Sequence, residues 1–171
     1  MLVSLSDLFR NGQRIMTEMM KIDPLALHLE VIPIIAEWLF LEWGHRRTGS
    51  TLSEAISRLS ARANTRDLPI AWVAVSPSGI PLATASLVER EEDTDEFGPW
   101  LASVYTIPSV RRFGFATALV RHAEKEACRM GFERILLATS KPIFYGSLGW
   151  YPMERTKYEE RVMEKLIHSV L

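Results

Sequence analysis

The stretch between residues 100 and 139 constrains the fold more than any other part of the chain. Residues 100–107 are rich in β-branched and aromatic side chains and predict a strand, and residues 117–130 have helical spacing and stop at Gly131. Residues 134–139 form a short apolar run, typical of a strand that is buried on both faces. A strand, a glycine-containing loop, a helix and a second strand form a βαβ unit, which predicts a mixed α/β fold.

Further elements are predicted before this unit. Apolar alternation indicates strands, spacings of three and four indicate helices, and a Ser-Pro-Ser-Gly sequence indicates a tight turn. The predicted elements are a strand over residues 25–30, a helix from Pro33 to Gly44, a helix N-capped by Thr51 or Ser53 with Glu54 in its first turn, and a hairpin of residues 71–75 and 80–88.

The two ends of the chain are less regular. Residues 1–20 have the apolar spacing of an amphipathic helix, interrupted near Asn11-Gly12, and are interpreted as an N-terminal extension; the alternative is an arm that forms a homodimer. The tail favours a helix by its apolar period, whereas residues 158–166 also fit a closing strand. Residues 21–171 contain no long linker and no internal repeat, so a single domain is expected.

Composition excludes several classes of protein. With 20 basic and 21 acidic residues in 171, the net charge of −1 gives no general attraction to nucleic acid or to an anionic membrane. The most apolar stretch, residues 32–43, contains two glutamates and is too short to span a bilayer. The single cysteine, Cys128, and four histidines without metal-ligand spacing predict no disulfide and no metal. These features, with no secretory signal pattern, predict a cytoplasmic protein.

The loop before the predicted central helix has the properties of a phosphate site. Gly114 allows close approach of a ligand, Ala116 adds little bulk, and the unpaired amides of a helix's first turn attract anions. Arg111 and Arg112 add positive charge in a chain that is otherwise nearly neutral. An ordinary solvated basic turn is the alternative, and neither the P-loop nor the full dinucleotide-binding glycine pattern is present.

These residues resemble the GNAT superfamily of acyl-CoA-dependent N-acetyltransferases. Residues 111–116, Arg-Arg-Phe-Gly-Phe-Ala, are similar to the family's pyrophosphate loop, Arg/Gln-x-x-Gly-x-Gly/Ala, and Phe144-Tyr145 with Gly149-Trp150 is similar to a second family segment. The resemblance implies a mostly antiparallel, twisted mixed sheet with splayed fourth and fifth strands, flanked by helices. It also favours a strand over residues 158–166.

The resemblance implies acetyl-CoA as cosubstrate, bound in the opening between those two strands. The strand contacts would be made by Val104, Tyr105 and Thr106, mainly through the backbone. The pyrophosphate would lie against the following loop and helix start, at Arg111, Arg112, Phe113, Gly114, Phe115, Ala116 and Thr117. Phe113 would either pack beneath the turn or cover the adenine.

The implied reaction is direct attack of an amine of a small molecule or peptide on the thioester. Tyr145 would protonate the leaving thiolate; packing against the sheet is the alternative for this side chain. Glu89, at the start of an acidic loop, is the candidate to accept the amine's proton, although a solvated charged loop is the favoured interpretation of this run. If the loop lined the acceptor channel, it would favour a cationic acceptor. Trp38 is predicted in the core, whereas Trp43 is assigned equally to the core or to an acceptor wall.

Two other functions compete with this one. A non-catalytic acyl-CoA-binding or regulatory module would keep the loop without an acceptor site. A nucleic-acid binder that uses Arg111, Arg112 and Arg121 is disfavoured because the basic residues form no wider stripe.

Overall fold

The computed structural model describes residues 20–90, 98–157 and 159–167. Within them, seven strands form one sheet in the order β1-β2-β3-β4-β5-β7-β6. Neighbouring strands are antiparallel except β4 and β5, which are parallel. The expected mixed, mostly antiparallel sheet is confirmed. The strands are β1 (Lys21–Pro24), β2 (Ile70–Val75), β3 (Pro81–Val88), β4 (Trp100–Thr106), β5 (Arg134–Thr139), β6 (Tyr151–Lys157) and β7 (Glu160–Leu166).

Helices cover both faces of the sheet. The helix Leu52–Ser60 begins at one of the two predicted N-caps and forms a capping box: Glu54 N–H donates to the Thr51 hydroxyl at 3.3 Å, and Thr51 N–H donates to the Glu54 carboxylate at 2.9 Å. Thr51, not Ser53, is therefore the N-cap. The α-helices of the described residues are α1 (Ile32–Trp43), α2 (Leu52–Ser60), α3 (Phe115–Arg129) and α4 (Pro142–Ser147).

Strand β2 shows how the two cores divide. All six of its residues are buried. Trp72 and Ala74 pack in the cluster that contains Leu119 of α3, whereas Ala71 and Val73 pack in the cluster formed with α1 and α2. Because helices cover both faces, the strand needs no polar alternation, and its side chains instead alternate between two apolar layers.

The predicted strand over residues 25–30 is wrong. The first strand ends at Pro24, and the chain then forms two short 3-10 turns, Leu25–Leu27 and Leu29–Val31. The His28 imidazole lies 2.8 Å from the Asp23 carboxylate, and the backbone N–H of His28 donates to the Leu25 carbonyl, so the chain folds back on β1. The apolar spacing in this stretch reflects one inward side chain per turn and not a pleat.

The C-terminal segment is a hairpin. Strand β7 confirms the strand expected over residues 158–166, and not the helix that the apolar period of the tail favoured. It pairs with β5 on one side and with β6 on the other. Strand β6 was not predicted. It lies at the edge of the sheet with Tyr151 and Pro152 exposed, so its sequence carries no buried apolar period.

Two predicted segments lie outside the described residues: the helical extension over 1–20, apart from Met20, and the acidic loop over 91–97. Among the described residues, no helix is both long and apolar enough to cross a membrane. Those same residues contain no group of three or more His, Cys, Asp or Glu side chains placed to hold a metal ion.

Candidate active site

Strands β4 and β5 diverge soon after they begin. Their only paired positions are Trp100 and Leu136, next to a bond in which Leu136 N–H donates to the Pro99 carbonyl at 2.9 Å. Towards their carboxyl ends the strands separate, which confirms the expected splay. On its other edge β4 contains one extra residue relative to β3, a bulge at which Ser103 has a φ of 55°.

The loop after β4 borders this opening with Arg111, Arg112 and Gly114. Arg112 and Gly114 have φ values of 69° and 88°, both in the left-handed region. Such a conformation costs a non-glycine residue about 1–3 kcal/mol, so its presence at Arg112 indicates a loop held in one shape. No side chain caps α3 and no acidic residue lies in its first turn. The first-turn amides are therefore left to an external acceptor, and the helix dipole favours an anion.

A cavity of about 590 Å³ lies between the diverging strands and continues towards the end of α1. All of the predicted site residues except Glu89 and Phe113 line this cavity. The predicted residues that line it are Val104, Tyr105, Thr106, Arg111, Arg112, Gly114, Phe115, Ala116, Thr117 and Tyr145.

Tyr145 is buried in the cavity wall. Its residue is 8% exposed, and its ring packs edge-on against Phe144 and Trp150, with centroids 4.9 and 5.9 Å away. Burial raises the pKa of the Tyr145 phenol well above its usual value, and the charge of Glu160 raises it further. The phenol is therefore neutral at physiological pH and retains the proton that a leaving thiolate needs.

A buried carboxylate fixes the packing around Tyr145. Glu124 of α3 accepts a hydrogen bond from the Trp150 indole at 2.9 Å and lies 3.0 Å from the Lys165 ammonium. Lys165 also donates to the Leu148 carbonyl at 2.7 Å. This network joins α3, the turn after α4 and β7 behind the tyrosine.

The structure does not bring Glu89 to the cavity. The residue is exposed after the end of β3, and its carbonyl accepts a hydrogen bond from Gly98 at 2.7 Å. Antiparallel pairing places the end of β3 beside Trp100, at the start of β4, whereas the cavity opens at the other end of β4. Phe113 packs against the core cluster that contains Leu119 of α3. This agrees with the first of its two predicted placements, packing beneath the turn.

An aromatic group borders the cavity on the side of α1. The Tyr105 ring lies 5.8 Å from Trp38 and 6.2 Å from Trp43, and the Arg111 guanidinium lies 5.6 Å above it. Arg111 also donates to the Thr106 carbonyl at 3.0 Å. Trp43 lines the cavity. Trp38 packs against the core cluster formed by β2 with α1 and α2, as predicted for Trp38.

Sequence reasoning missed the charged residues at the far end of the cavity. Arg46 and Glu160, far apart in the sequence, form a two-point ion pair with N–O distances of 2.9 and 3.0 Å. Both line the cavity, together with Glu42, Arg47 and Arg62. No local pattern marks these residues, because only the fold brings the end of α1 next to the start of β7.

The cavity suits a long ligand with a phosphate at one end. Uncapped amides and arginines form the phosphate end, and the unpaired edge of β4 offers backbone groups to an extended arm. The Thr106 hydroxyl is buried with no hydrogen-bond partner, which is costly unless a ligand supplies one. The residues present therefore fit acetyl-CoA.

The segment Ala138–Lys141 also lines the cavity, and its Thr139 hydroxyl accepts a hydrogen bond from Lys141 N–H at 2.9 Å.

The family model described as Acetyltransferase (GNAT) family matches residues 32–153. The chain belongs to this family and is an acetyltransferase, which confirms the resemblance and the expected enzyme class. No curated protein matches the sequence.

Solved structures show the same fold at low identity. An aminoglycoside 6'-acetyltransferase type Ii is 20% identical, with a TM-score of 0.67, over 87% of this chain and 98% of that one. An aminoglycoside 6'-N-acetyltransferase in complex with coenzyme A is 18% identical, with a TM-score of 0.62, over 79% and 89%. The PaiA N-acetyltransferase from Thermoplasma acidophilum, also with coenzyme A, is 17% identical, with a TM-score of 0.60, over 86% and 98%.

Proposed function

We propose that the chain transfers the acetyl group of acetyl-CoA to a primary amine of a small molecule or peptide by direct attack of the amine. The observation that carries the proposal is that one cavity contains the uncapped start of α3, the free edge of β4 and the buried phenol of Tyr145. These are the groups needed to hold the donor and to complete the transfer.

Binding of the donor follows from the loop and the strand. The pyrophosphate accepts hydrogen bonds from the amides of residues 112–116, with the Thr117 hydroxyl as a further donor. The pantetheine arm extends along Val104 and Thr106, which line the cavity on the side of β4 that pairs with β5 only at Trp100. Acetyl-CoA supplies the thioester, and this arrangement holds its carbonyl carbon at the Tyr145 end of the cavity.

Proton transfer requires an acid and a base. Tyr145 donates its proton to the sulfur as the thioester bond breaks. We assign the accepting role to Glu160 instead of Glu89, because Glu160 lines the cavity and lies near enough for its charge to raise the pKa of Tyr145. Arg46 holds the Glu160 carboxylate in place through its two-point ion pair.

The chain contains one cysteine, Cys128, and cannot form an internal disulfide, which supports our proposal that it acts in the reducing cytoplasm. A homodimer formed through residues 1–20 remains part of the proposal, tested by the oligomeric state of the chain with and without that segment.

Calorimetry with acetyl-CoA, followed by a thiol assay of released CoA with a panel of primary amines, tests the function. We expect binding, turnover, and loss of turnover in Glu160→Gln but not in the matched variant Glu89→Gln. Binding without turnover on any amine would instead indicate the non-catalytic acyl-CoA-binding module. Absence of acetyl-CoA binding would overturn the proposal.

A further inference from the structure

Tyr145 lies in a helix that is too short to hold it in place. The helix α4 spans six residues, Pro142–Ser147, and isolated helices of this length are not stable in water. The Tyr145 carbonyl accepts hydrogen bonds from Leu148 N–H at 2.9 Å and from Trp150 N–H at 3.1 Å, both in the turn that follows. The position of the phenol therefore depends on what holds this turn.

Trp150 anchors the turn. Its side chain is almost fully buried, and its ring packs edge-on against the Tyr145 ring. Its indole N–H donates to the carboxylate of Glu124 in α3 at 2.9 Å. Trp150 thus contacts the tyrosine through its backbone and its ring, and it contacts the long helix through its indole.

Both carboxylate oxygens of Glu124 have partners. Oε1 accepts the hydrogen bond from Trp150, and Oε2 lies 3.0 Å from the Lys165 ammonium of β7 and 2.9 Å from the Arg121 guanidinium. A carboxylate that is nearly buried is costly unless it is paired in this way. Its orientation is therefore fixed, and it offers the indole one defined place to bind.

The same helix begins at the phosphate loop. Helix α3 starts at Phe115, directly after Gly114, and Glu124 lies further along it by about 14 Å at a rise of about 1.5 Å per residue. The proposed pyrophosphate site and the anchor of the tyrosine are thus located by one rigid element. Neither Glu124 nor Trp150 is among the described residues that line the cavity, so we expect neither to touch bound acetyl-CoA.

We propose that Glu124 and Trp150 are positioning residues for Tyr145: through the indole hydrogen bond they hold its hydroxyl where the sulfur of the bound donor leaves. The proposal rests on the proposed function, in which Tyr145 protonates this sulfur. A misplacement of about 1 Å in a reacting group can lower a rate by about 100-fold. Loss of the indole bond should therefore lower kcat and leave donor binding unchanged.

The first test removes the indole bond from each side. Trp150→Phe keeps an aromatic ring against Tyr145 and removes the N–H, and Glu124→Ala removes the acceptor. Each should lower kcat about 10- to 100-fold and leave the dissociation constant of acetyl-CoA unchanged. The double variant should be no slower than the slower single variant, because the same bond is lost in all three.

Trp72→Phe is the matched control for this test. Trp72 is also buried, and its ring packs edge-on against His122 of the same helix. We expect Trp72→Phe to leave kcat unchanged, because it does not alter the bond between Trp150 and Glu124. A wild-type kcat in Trp150→Phe would overturn the proposal.

The second test separates positioning from a general loss of structure. In a Tyr145→Phe background the hydroxyl is absent, so Trp150→Phe should no longer change the residual kcat. A purely structural effect would instead lower kcat by the same factor in both backgrounds. That result would overturn the positioning role and leave the acid role intact, since the latter requires only that Tyr145→Phe alone lowers kcat.

A spectroscopic measurement that requires no turnover distinguishes this proposal from the proposed function. In protein labelled with 3-fluorotyrosine, the fluorine resonance of Tyr145 is identified by its loss in Tyr145→Phe. Glu124→Ala retains the Trp150 ring, yet it should shift or broaden this resonance, whereas Trp72→Phe should not. An unchanged resonance in Glu124→Ala would overturn the positioning role whatever the rate of transfer. A shifted resonance with no turnover on any amine would support the positioning of Tyr145 and refute the proposed function.

Discussion

Replacing Gly114 with alanine tests the phosphate cradle quantitatively. Gly114 has a φ of 88°, and the left-handed region costs an L-residue about 1–2 kcal/mol. The alanine variant can lower this strain by leaving the conformation, but a bound pyrophosphate would require it again. A cost of about 1–2 kcal/mol corresponds to a rise of about 5- to 30-fold in the dissociation constant of CoA.

Gly131 supplies a matched control at the other end of the same helix. Its φ is 85°, and a Cβ there would meet nothing within 4 Å. Gly131→Ala should therefore lower the free energy of unfolding by a similar 1–2 kcal/mol or so, and leave CoA binding unchanged. Urea denaturation and calorimetry measure the two quantities. If Gly114→Ala bound CoA as tightly as Gly131→Ala does, the reasoning about the cradle would be refuted.

Two further predictions concern stability. The pKa of Asp23 is lowered: burial raises it, but the hydrogen bonds from His28 and Lys21 outweigh that effect. Asp23→Asn should therefore lower the free energy of unfolding by its full amount above about pH 5, and by less as the pH falls through 4 and below. Urea denaturation of both proteins across this pH range measures the difference. A difference that does not change with pH would contradict the prediction. Glu124→Ala should cost about 1–3 kcal/mol by leaving the buried Trp150 N–H unpaired, and an unchanged urea midpoint would show that water replaces the carboxylate.

The central part of the fold could be predicted because its signals are local. The hairpin and the N-cap of α2 are each encoded within a few consecutive residues, and each element of the βαβ unit has its own local apolar pattern. The first strand and β6 could not be predicted in this way. The contact between Asp23 and His28 accompanies a turn where the sequence suggested a strand, and β6 is an exposed edge strand without an apolar period.

The candidate site divides in the same way. The residues from 111 to 117 are contiguous, so a motif identifies them together. The acceptor end assembles Arg46, Arg62 and Glu160 from distant parts of the sequence, and only the pairing of β5 with β7 and the packing of α1 place them together. Glu89 illustrates the converse: its position in the chain suggested the site, and the antiparallel register places it at the opposite end of β4.

The most direct test of the proposed mechanism is a comparison of the wild-type protein with Tyr145→Phe. The phenylalanine keeps the packing against Phe144 and Trp150 and removes only the hydroxyl. Acetyl-CoA should bind with an unchanged dissociation constant, while kcat for CoA release falls about 10²- to 10⁴-fold, the usual contribution of a general acid. A kcat within a factor of about two of wild type, a free-energy difference near 0.4 kcal/mol, would contradict the role of Tyr145 and with it the proposed transfer.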